Sequence, residues 1–232
     1  ILANPPFFSP KGGIQPHKRF GVESKKAEVL FTSYILEHLK PNGRAGIIVP
    51  EGMIFQVGKA YKELRKQLIE NALIGVISLP AGVFQPYSGV KTSILILDKK
   101  LNKERDSIFF ADVKNDGFSL GAQRNQIKEN GLPIVLKNFK DFTNGIDADH
   151  ISIQKEIINE SGDYSLNLSK FQKAEVSSNF QVVKLSDVIE LLNTKRKPIK
   201  KSNRVEGDFP YYGATGIIDY VNEYIFDEKL IL

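Results

Sequence analysis

Three short, nearly continuous apolar runs, Arg44–Val49, Leu73–Leu79 and Thr92–Leu97, constrain the fold of this chain more than any other feature. Each has the length of a strand. A stretch such as Ala45-Gly46-Ile47-Ile48-Val49, without polar alternation, is what a sheet strand covered on both faces carries. Helical spacing surrounds the runs. Ala27, Leu30, Phe31, Tyr34, Ile35 and Leu39 recur every three or four residues within Lys26–Leu39, and Pro41-Asn42-Gly43 ends that helix. A second helix, Lys59–Glu70, sets Tyr61, Leu64 and Leu68 on one face. Strands alternating with helices predict a doubly wound α/β sheet. The connection Pro80–Lys91 has no helical pattern, so the two strands it joins are expected as a hairpin, an antiparallel pair at the sheet edge.

A fourth apolar run, Ile1-Leu2-Ala3, reads as the second half of a buried strand and ends in Asn4-Pro5-Pro6-Phe7. That tetrapeptide suits alkylation of an exocyclic amine. The amino nitrogen of adenine is a poor nucleophile because its lone pair is delocalised into the ring. Two acceptors aimed at its hydrogens favour the pyramidal form and stabilise the charge that develops there. The Asn4 side-chain oxygen and the Pro5 carbonyl can be those acceptors. Pro5 and Pro6 stiffen the turn and bring no N–H donors, and Phe7 offers a ring for stacking. Asn-Pro also initiates ordinary turns, so the tetrapeptide taken alone leaves both readings open.

Elsewhere the chain reads less sharply. Residues 9–26 form a polar loop with Lys11, Lys18, Arg19, Lys25 and Lys26 against Glu23, suited to phosphate contact or to solvent. Asp98–Ser107 reads as a charged turn, Ser107–Val113 as a short strand, 114–131 as a loop and Pro133–Phe142 as a helix. "KAEVSSN" reads as a linker near Ser169–Phe180. After it, Ser186 is placed to cap a short helix, Asp187–Leu192. Lys195, Arg196, Lys197, Lys200, Lys201 and Arg204 follow without an acid among them, again either a phosphate contact or a solvated loop. The chain has 232 residues, a net charge of +5 and 41% hydrophobic residues, enough for one large or two small domains and compatible with a polyanionic partner. Without cysteine it has no disulfide or thiolate metal site, and its three histidines are scattered. There is no apolar run of about 18 residues, so no membrane span is expected. With no visible signal peptide, the expectation is a cytoplasmic protein.

The stretches "LANPPF" (2–7), "FTSYILEHLKPNGRAGIIVPEG" (31–52), "LPAGVFQPYSGVKTSILILDK" (79–99) and "DYSLNLSKF" (163–171) resemble the modification subunit of type I restriction–modification systems, an adenine-N6 DNA methyltransferase. "VVKLSDVIELLNTKRKP" (182–198) and "FPYYGATGIIDYVNEYIFDEKLIL" (209–232) resemble the opening of a type I specificity-subunit target-recognition domain. The resemblance implies the C-terminal part of a Rossmann-like class I methyltransferase sheet (1–171), a linker (172–181) and a partial α+β recognition domain (182–232). It implies methyl transfer from S-adenosylmethionine to adenine N6 in double-stranded DNA, with restriction and further specificity or modification subunits as partners. Asn4, Pro5, Pro6 and Phe7 would then be the catalytic loop. Phe84, in "AGVFQP", would pack on the flipped adenine opposite Phe7. DNA contacts would come from Lys11, Lys18, Arg19, Lys195, Arg196, Lys197, Lys200 and Lys201. A role for Lys91 in the site stands against a plain strand end. No G-x-G-x-x-G occurs in these residues, so most cofactor contacts are expected upstream of Ile1. Two other readings remain open here: an RNA or protein-glutamine methyltransferase sharing the loop, and an inactive DNA-binding remnant.

Overall fold

In the computed structural model the apolar runs become the middle of a six-stranded mixed sheet. The structure describes residues 1–7, 16–17, 19–146, 150–172, 183–190, 192–213 and 216–227. The chain divides into two compact units, Ile1–Ala174 and Glu175–Leu232. In the first, the elements run β1 (Leu2–Ala3), α1 (Ala27–His38), β2 (Arg44–Pro50), α2 (Gly52–Phe55), α3 (Lys59–Asn71), β3 (Leu73–Ser78), β4 (Thr92–Asp98), α4 (Lys99–Glu104) and β5 (Ser107–Asp112). Then come β6 (Asp116–Phe118), β7 (Gln126–Asn130), α5 (Leu132–Asn144), β8 (Ile151–Gln154) and α6 (Lys155–Glu160).

The sheet order is β1-β2-β4-β3-β5-β8. β1 is parallel to β2 and β3 to β5, while β4 is antiparallel to both of its neighbours. The expected hairpin between β3 and β4 forms, but it does not lie at the edge. β4 inserts between β2 and β3, and the sheet continues past β3 because β5 carries its own buried run, Ile108-Phe109-Phe110.

Alternate residues of the central strands enter two cores. Ala45, Ile47, Val49, Leu95 and Leu97 meet α1 and α3 on one face. Ile77, Ile94, Ile96 and Phe109 meet Val135, Phe139 and Phe142 of α5 on the other. The expectation of full cover on both faces holds for β3, buried from Leu73 through Ile77, but neither for β1, read as buried yet with Leu2 exposed, nor for β2. There Gly46, Ile48 and Pro50 stay half-buried, because α5 packs farther along the sheet.

Several local expectations change. Phe31 and Tyr34 of α1 are exposed, and the buried face includes Glu28, Val29, Thr32 and Leu36. Tyr34 instead stacks on His38 with ring centroids 3.9 Å apart, and the Arg19 guanidinium lies over it. Buried Glu28 accepts a hydrogen bond from the Tyr61 hydroxyl at 3.3 Å. Burial first, and then the charge and hydrogen bond of Glu28, push the Tyr61 pKa up to about 12. The charged turn after β4 is the helix α4, because the Asp98 carboxylate accepts from the Lys100 and Leu101 amides and caps it. The expected loop 114–131 contains the hairpin β6–β7.

Among the described residues, the largest fully buried side chain is a charged one. Arg65 of α3 is 1% exposed. Its guanidinium donates to the main-chain oxygens of Met53, Gln56, Asp163 and Tyr164 at 2.7–3.0 Å. Burial pulls its pKa down to about 10, with Asp163 opposing, so it stays charged at neutral pH. It thereby ties α2 and α3 to the segment 163–166, whose Leu166 amide donates to the Ile54 carbonyl at 2.7 Å.

The Asp163 carboxylate is held beside this tie. Partial desolvation raises its pKa. Hydrogen bonds from Lys170, Ser161 and the Ser165 amide, with the Lys170 charge, outweigh that and bring it to about 2. A carboxyl whose folded pKa lies below its unfolded value near about 4 stabilises the fold at pH above about 4. That contribution disappears as pH falls through the folded pKa of about 2. The stability gap between wild type and Asp163→Asn is therefore expected to be constant from neutral pH down to about 4 and to close toward pH 2, with solvent screening limiting its size. Denaturant midpoints measured across this range check it, and a gap that does not narrow contradicts it.

In the second unit the described residues form 3-10 turns at Leu185–Asp187, Asn193–Lys195 and Lys201–Asn203 and an antiparallel hairpin of β9 (Phe209–Gly213) and β10 (Gly216–Val221). Of the expected helix Asp187–Leu192, the described residues show only the turn at Leu185–Asp187. Val188 and Ile189 are exposed, and a helix this short needs tertiary burial to persist.

Candidate functional site at the carboxyl end of the sheet

Strand direction brings Asn4 and the connection that carries Phe84 to one end of the first unit. β1 runs parallel to β2, so Asn4 leaves β1 toward the end where β2 finishes at Pro50. The pairings Pro50↔Thr92 and Ser78↔Ser93 put the connection Pro80–Lys91 at this same end. Ligands of open α/β sheets bind beyond the carboxyl ends of the strands. Asn4 and Pro6 are exposed, Pro5 is buried and Phe7 is half-buried. Pro5 thus anchors the turn. No side-chain hydrogen bond among the described residues engages the Asn4 amide. Phe84 is half-buried in the connection, and neither it nor Phe7 joins an aromatic pair among the described residues.

Sequence reasoning missed the polar cluster beneath this connection. Glu51, the residue after β2, pairs with Lys91 at 2.9 Å through Oε1 and accepts the Ser93 hydroxyl at 2.5 Å through Oε2. Ser78 Oγ lies 3.5 Å from Oε1 and 3.4 Å from Ser93 Oγ. Lys91 is therefore engaged by a carboxylate at the strand end. The available signal was the placing of Ser78, Ser93 and Glu51 in or directly after apolar runs, where a polar side chain needs a partner.

The predicted basic residues belong to both units. Lys11 and Lys18 lie outside the described residues. Arg19 is exposed and lies over Tyr34, with Nη2 3.4 Å from His38 Nε2. In the second unit Lys195, Arg196, Lys197, Lys200 and Lys201 are all exposed, Lys195 with Glu190 at 3.6 Å. Arg204 belongs to the hairpin instead. It pairs with Asp219 at 3.0 Å, lies over the Tyr211 ring and donates to the Ile199 carbonyl.

Residues 1–180 match the family described as N-6 DNA Methylase, which covers more than half of the chain. The chain belongs to that family. Residues 177–232 match the type I restriction modification DNA specificity domain, so a methylase part is followed by a specificity part. Among curated relatives, this N-6 DNA methylase chain is 37% identical over 101 residues to the type I restriction enzyme EcoEI methylase subunit of Escherichia coli, covering 43% of this chain and 20% of the relative. It is 33% identical over 187 residues to the StySJI methylase subunit of Salmonella typhimurium, covering 77% and 33%. Its fold is similar to the crystal structure of the type I restriction-modification system methyltransferase subunit from Streptococcus thermophilus, with TM-score 0.54, 28% identity and coverage of 73% and 37%. The chain spans 20–33% of the length of these two curated relatives. Among the described residues no helix is long and apolar enough to cross a membrane.

Proposed function

We propose that this chain is the catalytic-loop part of an adenine-N6 DNA methyltransferase of a restriction–modification system, joined to the start of its target-recognition domain. The observation that carries this reading is Asn4-Pro5-Pro6-Phe7 leaving a parallel strand at the carboxyl end of a sheet in the N-6 DNA methylase family. Asn4 Oδ1 and the Pro5 carbonyl accept the two amine hydrogens of a flipped adenine, and the rings of Phe7 and Phe84 hold its faces. S-adenosylmethionine supplies the methyl group. The described residues offer the base side of such a pocket, with an exposed amide at Asn4, and no Gly-rich cradle for the cofactor. Residues 1–171 are the catalytic part, 172–181 the linker and 182–232 the recognition part. The division at Ala174 and the two family matches meeting at 177–180 support this arrangement. Double-stranded DNA and further restriction-system subunits are the partners, and the specificity match favours DNA over RNA or protein glutamine.

A complete methyltransferase carrying this chain tests the reading. Incubated with S-adenosylmethionine and duplex DNA, RNA or protein, it is expected to yield N6-methyladenine in DNA alone. Methylation confined to RNA or glutamine, or no transfer at all, overturns it.

The basic stretch supports a further expectation. Contacts of lysine to phosphate position a protein without reading bases. Changing exposed Lys197, Lys200 and Lys201 to Ala is expected to weaken specific and random DNA by similar factors. If all of them touch phosphate, the slope of log affinity against log salt falls by about 2.7. Titrations at several salt concentrations measure it, and an unchanged slope assigns the stretch to solvent.

A further inference from the structure

The connection Pro80–Lys91, which carries Phe84, is fastened at both feet and at its turn. At the feet, Leu79 N donates to the Thr92 carbonyl at 2.9 Å and Glu51 N to the Lys91 carbonyl at 2.8 Å. The Glu51 carboxylate then reaches Lys91 and Ser93 on one foot and Ser78 on the other. Its side chain is 20% exposed and Ser93 is fully buried, so the Ser93 contact lies largely out of solvent, where charge-assisted hydrogen bonds are strong, while Lys91 is 40% exposed.

The turn is held from another direction. The Gly82 carbonyl accepts from Arg124 Nη1 at 3.1 Å, and Arg124 is itself paired with the largely buried Asp116 of β6. Gly82 has φ of +91°, and a Cβ there would stand 2.9 Å from the Leu120 carbonyl oxygen. The β6–β7 arm thus lies directly against the main chain two residues before Phe84. Within the connection, Gln85 N donates to the Gly82 carbonyl and Ser88 N to the Phe84 carbonyl. An aromatic side chain that grips a flipped base acts only where its ring is already in place, since freezing a loop at the moment of binding costs conformational entropy.

We infer that Glu51 and Arg124 are positioning residues that hold Pro80–Lys91 as a rigid platform and set the place of Phe84 against the target base. The inference rests on the methyltransferase reading above. Neither residue touches the base. Glu51 acts through the feet of the connection and Arg124 through its turn, so either change loosens the Phe84 ring and leaves the acceptors at Asn4 and Pro5 intact.

The test uses a complete methyltransferase carrying this chain, duplex DNA with adenine or 2-aminopurine at the target position, and the variants Phe84→Ala, Glu51→Gln, Arg124→Met and each of the latter two combined with Phe84→Ala. Phe84→Ala is expected to lower kcat by about 5- to 150-fold, the equivalent of one stacking contact. It is also expected to brighten 2-aminopurine in the saturated complex, because an unstacked fluorophore is less quenched. Glu51→Gln and Arg124→Met are each expected to lose at least about fivefold in kcat and to brighten the probe in the same sense, within the range of that one contact. S-adenosylmethionine affinity should stay within about twofold of wild type, as measured by calorimetry, because additivity failures are confined to interacting residues. Combined with Phe84→Ala, each should add less than about twofold to the loss, since residues acting through one ring are not additive. Losses that multiply in the double variants, or single variants with wild-type kcat and emission, overturn the positioning role while leaving the methyltransferase reading intact. Wild-type kcat in Phe84→Ala removes the platform's purpose and overturns the inference too. Absence of adenine methylation by the wild-type protein is the separate failure of the functional reading. Glu51→Gln and Arg124→Met disturb different elements, so misfolding of one leaves the other to decide.

Discussion

Asn4→Ala in a complete methyltransferase carrying this chain is expected to slow methyl transfer by about 100- to 1,000-fold. That is the loss of about 2.7–4 kcal/mol that follows removal of one acceptor or donor already aimed at developing charge. The structure separates this from unfolding. Asn4 is exposed, whereas the register of β1 is held by the pairs Leu2↔Gly46 and Ala3↔Ile47 and the turn by buried Pro5. Replacing an exposed side chain away from packing, caps and buried polar groups changes stability by about 0.5 kcal/mol or less. Thermal midpoints of variant and wild type should therefore agree while single-turnover rates differ. Affinity for S-adenosylmethionine should be unaltered, since Asn4 faces the base in this reading. A variant retaining more than about a third of the rate would remove Asn4 from the chemistry, because that residual lies far outside the expected loss.

The second large effect concerns stability. Arg65→Ala strands the main-chain oxygens of Met53, Gln56, Asp163 and Tyr164, all now served by one buried guanidinium. The Met53 contact is buried and the other three are part-buried. A carbonyl left unpaired away from water costs about 1–3 kcal/mol, and water offsets part of the loss at the others, so the expected destabilisation is about 2–4 kcal/mol. Arg65→Lys should recover only part of it. An ammonium is a compact point charge and cannot satisfy acceptors spread around a planar fork. The Leu166 amide, bonded to Ile54 within the tied region, reports the change directly. Its hydrogen exchange should accelerate by about 30- to 1,000-fold in Arg65→Ala. An acceleration below about tenfold would mean that the network contributes little to holding segment 163–166.

Both residues bear on what could be read before folding. The candidate loop at Asn4 was legible because its sequence pattern is local. An apolar strand, a side-chain acceptor, two stiff residues and an aromatic follow one another in sequence, and strand direction then places them at the end of the sheet where ligands bind. The strands β2, β3 and β4 and the helices α1, α3 and α5 were legible for the same reason, since apolar periodicity is written along the chain. The match of 163–171 to the family pattern was visible too, but not its purpose.

Arg65 could not be read this way. It lies in a helix next to Leu64, amid Lys62, Glu63 and Lys66, where a charged residue ordinarily faces water. Only the return of segment 163–166 across α2 and α3, nearly a hundred positions later (|i−j| of 98–99), buries it and supplies its acceptors. Lys91 and Glu51, at |i−j| of 40, became partners because β4 inserts between β2 and β3 instead of lying at the edge. Phe31 and Tyr34 kept helical spacing yet face outward, because the position of α3 and the sheet selects which side of α1 is covered. Periodicity and local chemistry determined the elements and the tetrapeptide. Burial of a charge, strand order and the bracing of the Phe84 connection were decided only in the tertiary structure, because each depends on groups brought together from distant parts of the chain.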